Sequence, residues 1–314
     1  MIEFIETWKT KTALPYQLFL NWVGLAKSKY YEWKRRAGRE NQHNGQIPRS
    51  HWLLEQERQA IVAYSREHPR EGYRRLTFMM LDEDVAAVSP SSVYRALVEA
   101  GLLNRWARGQ TSKGEGFEQP ERPHEHWHID ISYLNINGTF YYLCSILDGY
   151  SRYIVSWDIR EAMKEGDVEL IIQRGLEAFP GETPRIISDN GPQFISKDFK
   201  VYIRMMGMTH VKTSPYYPQS NGKKERYFKT LKSECIRVQT PLSREDALRV
   251  VSVYVEEYNQ KRLHSAIGYI TPHAKLHGEE ERIFAERKEK LRRALEHRVQ
   301  VFKQQPNESA SLPG

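Results

Sequence analysis

Three carboxylates stand in local sequences that could do chemistry at a phosphate group. Asp130 lies within an apolar run, Asp189 ends another and precedes Asn190-Gly191, and Glu225 follows two lysines. Along the chain, 58 residues separate the first two acids, and 35 separate the second from the third. Convergent carboxylates bind hard divalent cations, and two such cations can drive the cutting and joining of a phosphate backbone. The spacing therefore calls for a fold that brings three distant segments together.

Each acid has a position that suits a shared site. Asp130 falls in a predicted strand, where a charge is costly unless a cation, a proton or a partner balances it. Asp189 ends a short apolar strand, and open α/β folds usually build their sites at the carboxyl edge of the sheet. Glu225 lies in the first turns of a predicted helix, at the edge of an apolar side that includes Phe228 and Leu231. It could reach a groove while that side packs on the sheet.

Basic residues accompany the third acid. Lys229 and Lys232 follow Glu225 by four and seven residues, so they lie near it on the same side of a helix. If metals hold the scissile phosphate, these lysines are placed to hold flanking phosphates. The same segment also contains Lys223, Lys224 and Arg226. An ordinary surface Glu–Lys pair is the alternative, which the lysines alone would favour.

Other polar residues compete for a role. Asp148 could be a metal ligand, although its place before a glycine favours a turn. His124, His126 and His128 alternate and could share a strand face with the first acid, but no further ligand pattern supports a zinc site. Asp198 suits the first turn of a helix and needs no catalytic role.

Bulk composition restricts the class of protein. The 314 residues correspond to about two or three domains. The net charge of +7 favours a polyanionic partner, although many proteins with no such partner carry a similar charge. Cys144 and Cys235 are too few for a disulfide framework or a four-cysteine zinc site and are interpreted as buried. With neither a signal peptide nor a long apolar stretch in the sequence, we expect a reducing, cytoplasmic compartment.

Helical patterns dominate the first hundred residues. Two short helices are expected within 13–36, with Ser28 as the N-cap of the second, and a polar linker follows. Residues 53–104 have a helix-turn-helix type of pattern in which Arg74, Arg75 and Arg95 are available to phosphates. A plain helical bundle with solvated arginines is the equal alternative.

From residue 126 the apolar period changes to that of strands. Predicted strands cover 128–134 and 139–147, and Asn137-Gly138 between them is a strong hairpin signal. A third strand, a helix, a strand, a helix, a short strand and a long helix follow, which predicts an α/β fold with a mixed sheet. Helices are expected over 244–261 and 280–303. The last has both signs of charge and a thin apolar stripe, which favours a solvated helix over one that packs on a partner.

The motifs around the acids are specific. They read Trp127-His128-Ile129-Asp130-Ile131-Ser132-Tyr133, Ser188-Asp189-Asn190-Gly191-Pro192-Gln193-Phe194, and Ser220-Asn221-Gly222 leading to Glu225-Arg226. This stretch resembles the integrase-type catalytic core of DDE transposases, which retroviral integrases share. Within that superfamily it is most similar to the larger reading frame of the bacterial insertion-sequence family numbered three. The resemblance extends over most of residues 13–278, through Tyr258-Asn259, Arg262 to Tyr269, Gly72 to Arg75 and Ser92 to Arg95. Lys223-Lys224 departs from it, because small or aromatic residues are more usual there.

The resemblance implies a ribonuclease H-like, mixed five-stranded sheet flanked by helices, preceded by all-α helix-turn-helix modules and followed by a helical C-terminal region. It implies that Asp130, Asp189 and Glu225 are ligands of two Mg²⁺ ions, with Mn²⁺ as the substitute, and that Lys232 contacts DNA near the cut. The implied partners are the element's terminal inverted repeats, target DNA, a second copy or more of the chain, and an upstream frame joined by frameshifting. The implied location is the bacterial cytoplasm, at the nucleoid.

The expected domains follow from these patterns. They are a helix-turn-helix-like segment (1–45), a DNA-binding helix-turn-helix domain (50–105), a linker (106–123), the catalytic core (124–240), a helical region (241–304) and a disordered tail (305–314). The functional hypothesis is a transposase that cleaves DNA at element ends and joins the 3′ ends to another strand by two-metal phosphoryl transfer. The main alternative is a DNA-binding regulator whose core does not cut. A third is a nuclease of the same fold that hydrolyses but never joins.

Overall fold

The computed structural model describes residues 1–37, 52–103, 119–212 and 222–304. The predicted polar linkers, the loop before the third acid and the expected disordered tail fall wholly or largely outside these ranges. The chain divides into two compact units, Met1–Trp52 with Leu295–Gly314, and Leu53–Ala294. All three acids of the predicted site lie in the second unit.

A five-stranded mixed sheet forms the centre of the second unit. Its strands are β1 (His126–Ile136), β2 (Thr139–Asp148), β3 (Ile154–Arg160), β4 (Arg185–Ser188) and β5 (Thr209–Lys212). They lie in the order β3-β2-β1-β4-β5, with β1, β2 and β3 antiparallel, β4 parallel to β1, and β5 parallel to β4. The predicted mixed sheet is confirmed, and its arrangement is ribonuclease H-like.

The hairpin between β1 and β2 follows from its turn residues. Asn137 and Gly138 have φ angles of 48° and 86°, the left-handed pair that a two-residue type I′ turn requires. Asn and Gly adopt this conformation at the least cost, and the resulting turn has the twist of the flanking strands. The turn sets Asp130 opposite Ser145 of β2.

Helices cover both faces of the sheet. The helices that the structure describes in the second unit are α4 (Glu55–Glu67), α5 (Tyr73–Asp82), α6 (Pro90–Glu99), α7 (Glu165–Ala178), α8 (Pro192–Ile195), α9 (Lys197–Met205), α10 (Gly222–Leu231), α11 (Arg237–Gln239), α12 (Arg244–Gln260), α13 (Pro272–Leu276) and most of α14 (Glu280–Gln304). Helices α7 and α9 pack on one face with Trp127 and Ile129, whereas α10 and α12 pack on the other with Leu134 and Ile136. Because side chains alternate along β1, Asp130 faces the same side as Leu134, beneath α10. Within the described ranges, no helix combines the length and apolar character needed to cross a membrane.

Among its described residues, the first unit contains the end of α14 and three short helices, α1 (Ile2–Thr12), α2 (Tyr16–Val23) and α3 (Lys27–Arg36). The two predicted helices are confirmed, and α1 is additional. The prediction of Ser28 as an N-cap is wrong, because the helix begins two residues earlier than that cap implies, after Ala26, which has no capping side chain. Ile5, Leu20 and Tyr30 form the small core of these helices.

The three helices α4, α5 and α6 share a separate core that includes Ile61, Met80 and Val93. Ser89 caps the start of α6 by accepting a hydrogen bond from the Ser92 backbone nitrogen at 3.3 Å. The arrangement agrees with the helical pattern of the sequence.

Asn259 joins α12 to the sheet. Its side chain accepts from the Ile154 nitrogen at 2.9 Å and donates to the Ile154 oxygen at 3.1 Å, and the residue is buried. We expect Asn259→Ala to lower the free energy of unfolding by about 2–4 kcal/mol, because two buried backbone groups lose their partner. Urea unfolding measures this. The control Asn135→Ala, which removes an exposed bond to the Gly138 nitrogen, should cost less than about 1 kcal/mol. Equal losses in the two variants would contradict the role of Asn259.

Candidate active site

Asp130 lies in the middle of β1 and is buried, with 9% of its surface exposed. Its Oδ1 accepts a hydrogen bond from the Ile131 nitrogen at 3.0 Å. Burial raises the pKa of Asp130, Lys224 lowers it, and the Asp189 and Glu225 carboxylates raise it. The three acids, which come from three separate elements, therefore lie within electrostatic reach of one another.

Asp189 follows the last residue of β4, which pairs in parallel with β1 through Ile187 and His128. Its Oδ1 accepts from the Gly191 nitrogen at 2.9 Å, which shapes the turn after the strand. A Cβ on Gly191 would lie 3.1 Å from that same oxygen, so a side chain here would crowd the carboxylate. The predicted position at the carboxyl edge of the sheet is confirmed.

Glu225 lies in the first turn of α10 and is exposed. The predicted apolar side of this helix is confirmed, because Phe228, Leu231 and Cys235 are buried against the sheet. Tyr227 is also buried there, which the sequence reading did not include. The helix thus packs on the face of the sheet toward which Asp130 points.

Lys224 requires a correction. It was predicted among the DNA-contacting residues, but only 1% of its surface is exposed, and its Nζ donates to the Ile187 oxygen at 3.5 Å. Burial lowers the pKa of Lys224 to about 8, and Asp130 opposes this shift. Successive residues of a helix are rotated by about 100° around its axis, so this lysine faces the sheet although the glutamate that follows it is exposed. Its ammonium is a positive charge beside the acids rather than a contact for solvent or DNA.

The donor set can be judged for a divalent cation. In the part of the chain that the structure describes, no three His, Cys, Asp or Glu side chains stand close enough to coordinate one ion as they are placed. The chemistry of the donors nevertheless fits Mg²⁺, because all three are carboxylates and the buried one is influenced by the negative charge of the others. A cation would lower the cost of ionising Asp130 in this environment.

Asp148 has the predicted turn-forming role. It is fully buried, and its Oδ1 accepts from the His124 nitrogen at 2.9 Å. Its Oδ2 accepts from the nitrogen and the hydroxyl of Ser151 at 2.7 and 2.6 Å. Its Oδ2 is therefore occupied by the turn between β2 and β3, and its Oδ1 by the segment that precedes β1.

The histidines contribute to packing rather than to a common set of metal ligands. His124 Nδ1 accepts from the Trp127 indole at 3.1 Å. Both ring nitrogens of His128 are buried without a hydrogen-bond partner among the described residues, and burial holds its pKa well below the usual range. His128 is therefore neutral and lies close to the Asp130 side of the sheet.

The other predicted DNA-contacting residues of α10 differ in exposure. Arg226 and Lys229 are exposed. Lys223 is half-buried, its Nζ donates to the Gly149 oxygen at 3.2 Å, and burial lowers its pKa to about 7. Lys232 is half-buried, burial lowers its pKa, and it begins a five-residue π-helical segment, Lys232–Ile236. Such segments are frequent at functional sites, and no pattern in the sequence predicts this one.

Among the helices α4, α5 and α6, the three predicted arginines are not equivalent. Arg74 and Arg95 are exposed, and Arg74 donates to the Tyr73 hydroxyl at 3.1 Å. Arg75 is half-buried and forms an ion pair with Glu71. Two of the three are thus open to a phosphate as they stand.

His264 provides a pH-dependent measure of the charges around it. Burial and, to a smaller extent, positive neighbours including Arg262 and Arg152 together lower its pKa to about 3. Because the unfolded chain takes up a proton near pH 6.5 and the folded chain does not, stability falls as pH falls from 6.5 toward 3. As pH falls, we expect the free energy of unfolding, measured with urea, to fall more steeply in the wild type than in His264→Asn. The difference in slope should be at most about 1.4 kcal/mol per pH unit. Parallel pH profiles would contradict this assignment.

Comparison with protein families identifies an integrase core domain over residues 120–218 and a second integrase core domain family over 206–272. The transposase InsF of insertion sequence IS3A from Escherichia coli is 26% identical over 270 residues, which are 79% of this chain and 89% of that protein. A protein of insertion element IS476 from Xanthomonas euvesicatoria is 25% identical over 216 residues, 68% of this chain. The match spans 62% of the length of that relative.

Solved structures of similar shape include the HTLV-2 integrase catalytic core domain in complex with magnesium. It is 17% identical, with a TM-score of 0.42, and the match covers 51% of this chain and all of that one. An intasome of simian T-cell lymphotropic virus is 19% identical, with a TM-score of 0.46, covering 69% of this chain and 74% of that one.

Proposed function

This chain has an integrase core homologous to the transposases of IS3-type insertion sequences, and we propose that it cleaves DNA at the ends of such an element and joins the 3′ ends to another strand. The chemistry is polynucleotidyl transfer. The attacking group is water in the first step and a DNA 3′-hydroxyl in the second, and no covalent protein–DNA bond is needed.

One observation carries this proposal: a buried carboxylate, Asp130, whose pKa is raised by burial and by two further acids from separate elements. A plain core would place an apolar residue there, because an unbalanced buried charge is costly. Asp189 at the carboxyl edge of the sheet and Glu225 on the covering helix complete the set. Asp148, by contrast, has both oxygens occupied by its turn and by the segment that precedes β1.

Each group then has a task. Asp130, Asp189 and Glu225 would hold two Mg²⁺ ions, with Mn²⁺ as a substitute, and the Mg²⁺ supplies Lewis-acid stabilisation of charge at the phosphate. Lys224 balances the negative charge of the acids from within the protein. Arg226, Lys229 and Lys232 are proposed to hold phosphates on either side of the cut, as point charges or bidentate donors.

The helical module of α4, α5 and α6 is proposed to bind the terminal inverted repeats, with Arg74 and Arg95 at the phosphates. Two ends and a target must be held together, so we propose a dimer or higher assembly on DNA. An upstream-frame segment is a further proposed partner. Chromosomal DNA as the substrate implies work in the cytoplasm, at the nucleoid of a bacterium.

The test is a strand-cleavage and joining assay on labelled DNA that carries an element end, with Mg²⁺, Mn²⁺ or EDTA. We expect cleaved and joined products with either metal and none with EDTA. Binding without cleavage in any metal would favour the DNA-binding regulator. Cleavage with no joined product after a free 3′-hydroxyl end is supplied would favour the nuclease.

A further inference from the structure

The turn between β2 and β3 presents an arginine in an unusual way. Arg152 has a φ of 68°, the left-handed region that residues other than glycine rarely adopt. The turn is held in place because its nitrogen donates to the Asp148 oxygen at 3.0 Å and Asp148 accepts from Ser151. Strain of this kind persists where the surroundings enforce it and is frequent at functional sites.

The guanidinium of Arg152 has donors without an acceptor. Its Nε and Nη1 are out of contact with solvent and have no hydrogen-bond partner in the described part of the chain. Asp148 does not supply one, although its charge acts on the guanidinium, because its oxygens are directed to His124 and Ser151. A buried guanidinium without an acceptor is costly, so an acceptor from beyond the described residues is expected.

A cavity of 310 Å³ lies beside this arginine. Its walls include Gly149, Tyr150, Arg152, Gly268 and Lys275. The Lys275 ammonium lies 4.1 Å from the centre of the Tyr150 ring and pairs with Glu280. The cavity is therefore bounded by two cations, Arg152 without a hydrogen-bond acceptor and Lys275 paired with Glu280.

Further positive charge surrounds the same region. Arg75 and Arg226 lower the pKa of His264 together with Arg152, so cations from α5, α10 and the β2–β3 turn act on one place. Arg75 is neutralised by Glu71, yet its Nε is also buried without a hydrogen-bond partner among the described residues. This excess of buried cationic donors is suited to an anion.

The turn that carries Arg152 begins beside the strand of the first acid. The backbone of Asp148 lies opposite that of Trp127 in β1, and the backbone of Asp130 is three residues further along that strand, or about 10 Å. Phosphates of one DNA strand recur about every 3.4 Å along the axis, so this distance is about three phosphates. The planar fork of an arginine, which stays charged at any working pH, suits a phosphodiester.

We propose that Arg152 and the cavity beside it bind a backbone phosphate of the DNA strand that flanks the cut. The inference rests on the proposed function, since it assigns a further substrate contact to that site. It differs from the lysines of α10, which the sequence alone already indicated, because no motif or spacing marked this arginine.

The test uses the full chain, a fluorescent DNA duplex and EDTA, so that binding is measured without catalysis. Affinity is determined between about 50 and 200 mM salt for the wild type, Arg152→Gln and Arg152→Lys. We expect Arg152→Gln to reduce the slope of log affinity against log salt by about one. The matched control is Arg249→Gln, which removes the same charge from an exposed position on α12 and should keep the wild-type slope.

The outcomes separate the pocket from the proposed function. If the wild type cuts and joins DNA while Arg152→Gln keeps the wild-type slope of log affinity against log salt, phosphate binding at Arg152 is overturned and the proposed function stands. If the wild type binds but never cuts, and Arg152→Gln loses slope, the pocket stands and the transposase proposal fails. Inorganic phosphate that raises the Tm of the wild type but not of Arg152→Gln, with unchanged slopes, would identify a site for free anions and overturn DNA binding there.

A second measurement covers the case in which Arg152→Gln does not fold. Single phosphates of the duplex are replaced by neutral methylphosphonates, and binding by the wild type is compared with binding by Arg152→Lys. We expect at least one position at which neutralisation weakens the wild type but has less effect on the lysine variant, which lacks the fork geometry. Identical profiles would overturn the proposal.

Discussion

Asp189→Asn is expected to lower metal-dependent cleavage and joining by more than about 10³-fold while leaving the fold intact. The substitution removes the negative charge that a divalent cation requires. It keeps an Oδ1 that can still accept from the Gly191 nitrogen, now at 2.9 Å, so the turn after β4 should survive. Activity is measured on labelled DNA with Mg²⁺, and stability by urea unfolding, where we expect a change within about 1 kcal/mol.

The matched control is Asp198→Asn, the same chemical change nine residues later, at an exposed position of α9. It should retain wild-type cleavage, because its carboxylate only suits the first turn of that helix. Full activity in Asp189→Asn would sink the proposed function. DNA binding in the absence of metal should be unchanged in both variants, which separates loss of catalysis from loss of the substrate.

Much of the sheet could be predicted because its signals are local. Alternating apolar residues set the strands, and Asn137-Gly138 fixed the hairpin register that places Asp130 opposite Ser145. Asp189 was identifiable because a short apolar strand ended there and a glycine turn followed. These features depend on neighbours in the chain, so the sequence carries them directly.

Lys224 could not be placed from the sequence because its environment is non-local. A pair of lysines before an acid is typical of a solvated surface, and only the packing of α10 against β4 shows that the second one is buried. Its departure from the family pattern was visible, yet its consequence for the charge of the site depends on where the helix sits on the sheet.

The last helix provides a second example. Its mixed charges favoured a solvated helix, but Arg287 is buried and donates to Asp82 at the end of α5, at 2.8 and 2.6 Å, and to the Tyr269 oxygen at 2.7 Å. Lys290 donates to the Leu81 oxygen at 2.9 Å. The contacts with Asp82 and Leu81 join residues more than two hundred positions apart, which periodicity within one helix cannot reveal.

Asp148→Ala is expected to lower the free energy of unfolding by about 3–5 kcal/mol, because three buried donors lose their acceptor at once. Urea unfolding measures the loss. Ser151→Ala provides the graded comparison: it removes the hydroxyl bond to Asp148 at 2.6 Å and the bond from the Tyr153 nitrogen at 3.1 Å, but leaves the two backbone bonds to Asp148, so it should cost about 1–2 kcal/mol. A loss for Asp148→Ala no larger than for Ser151→Ala would contradict the turn-forming role.

The same variant also separates a buried structural acid from a catalytic one. Because the carboxylate of Asp148 is fully used by these structural hydrogen bonds, the fraction of Asp148→Ala that stays folded at low temperature should still require the same Mg²⁺ concentration for cleavage. The turn also sets the left-handed backbone of Arg152, so that folded fraction should show the shallower salt dependence of DNA binding expected for Arg152→Gln. A shifted Mg²⁺ requirement with an unchanged salt dependence would reverse both assignments and make Asp148 a member of the metal site.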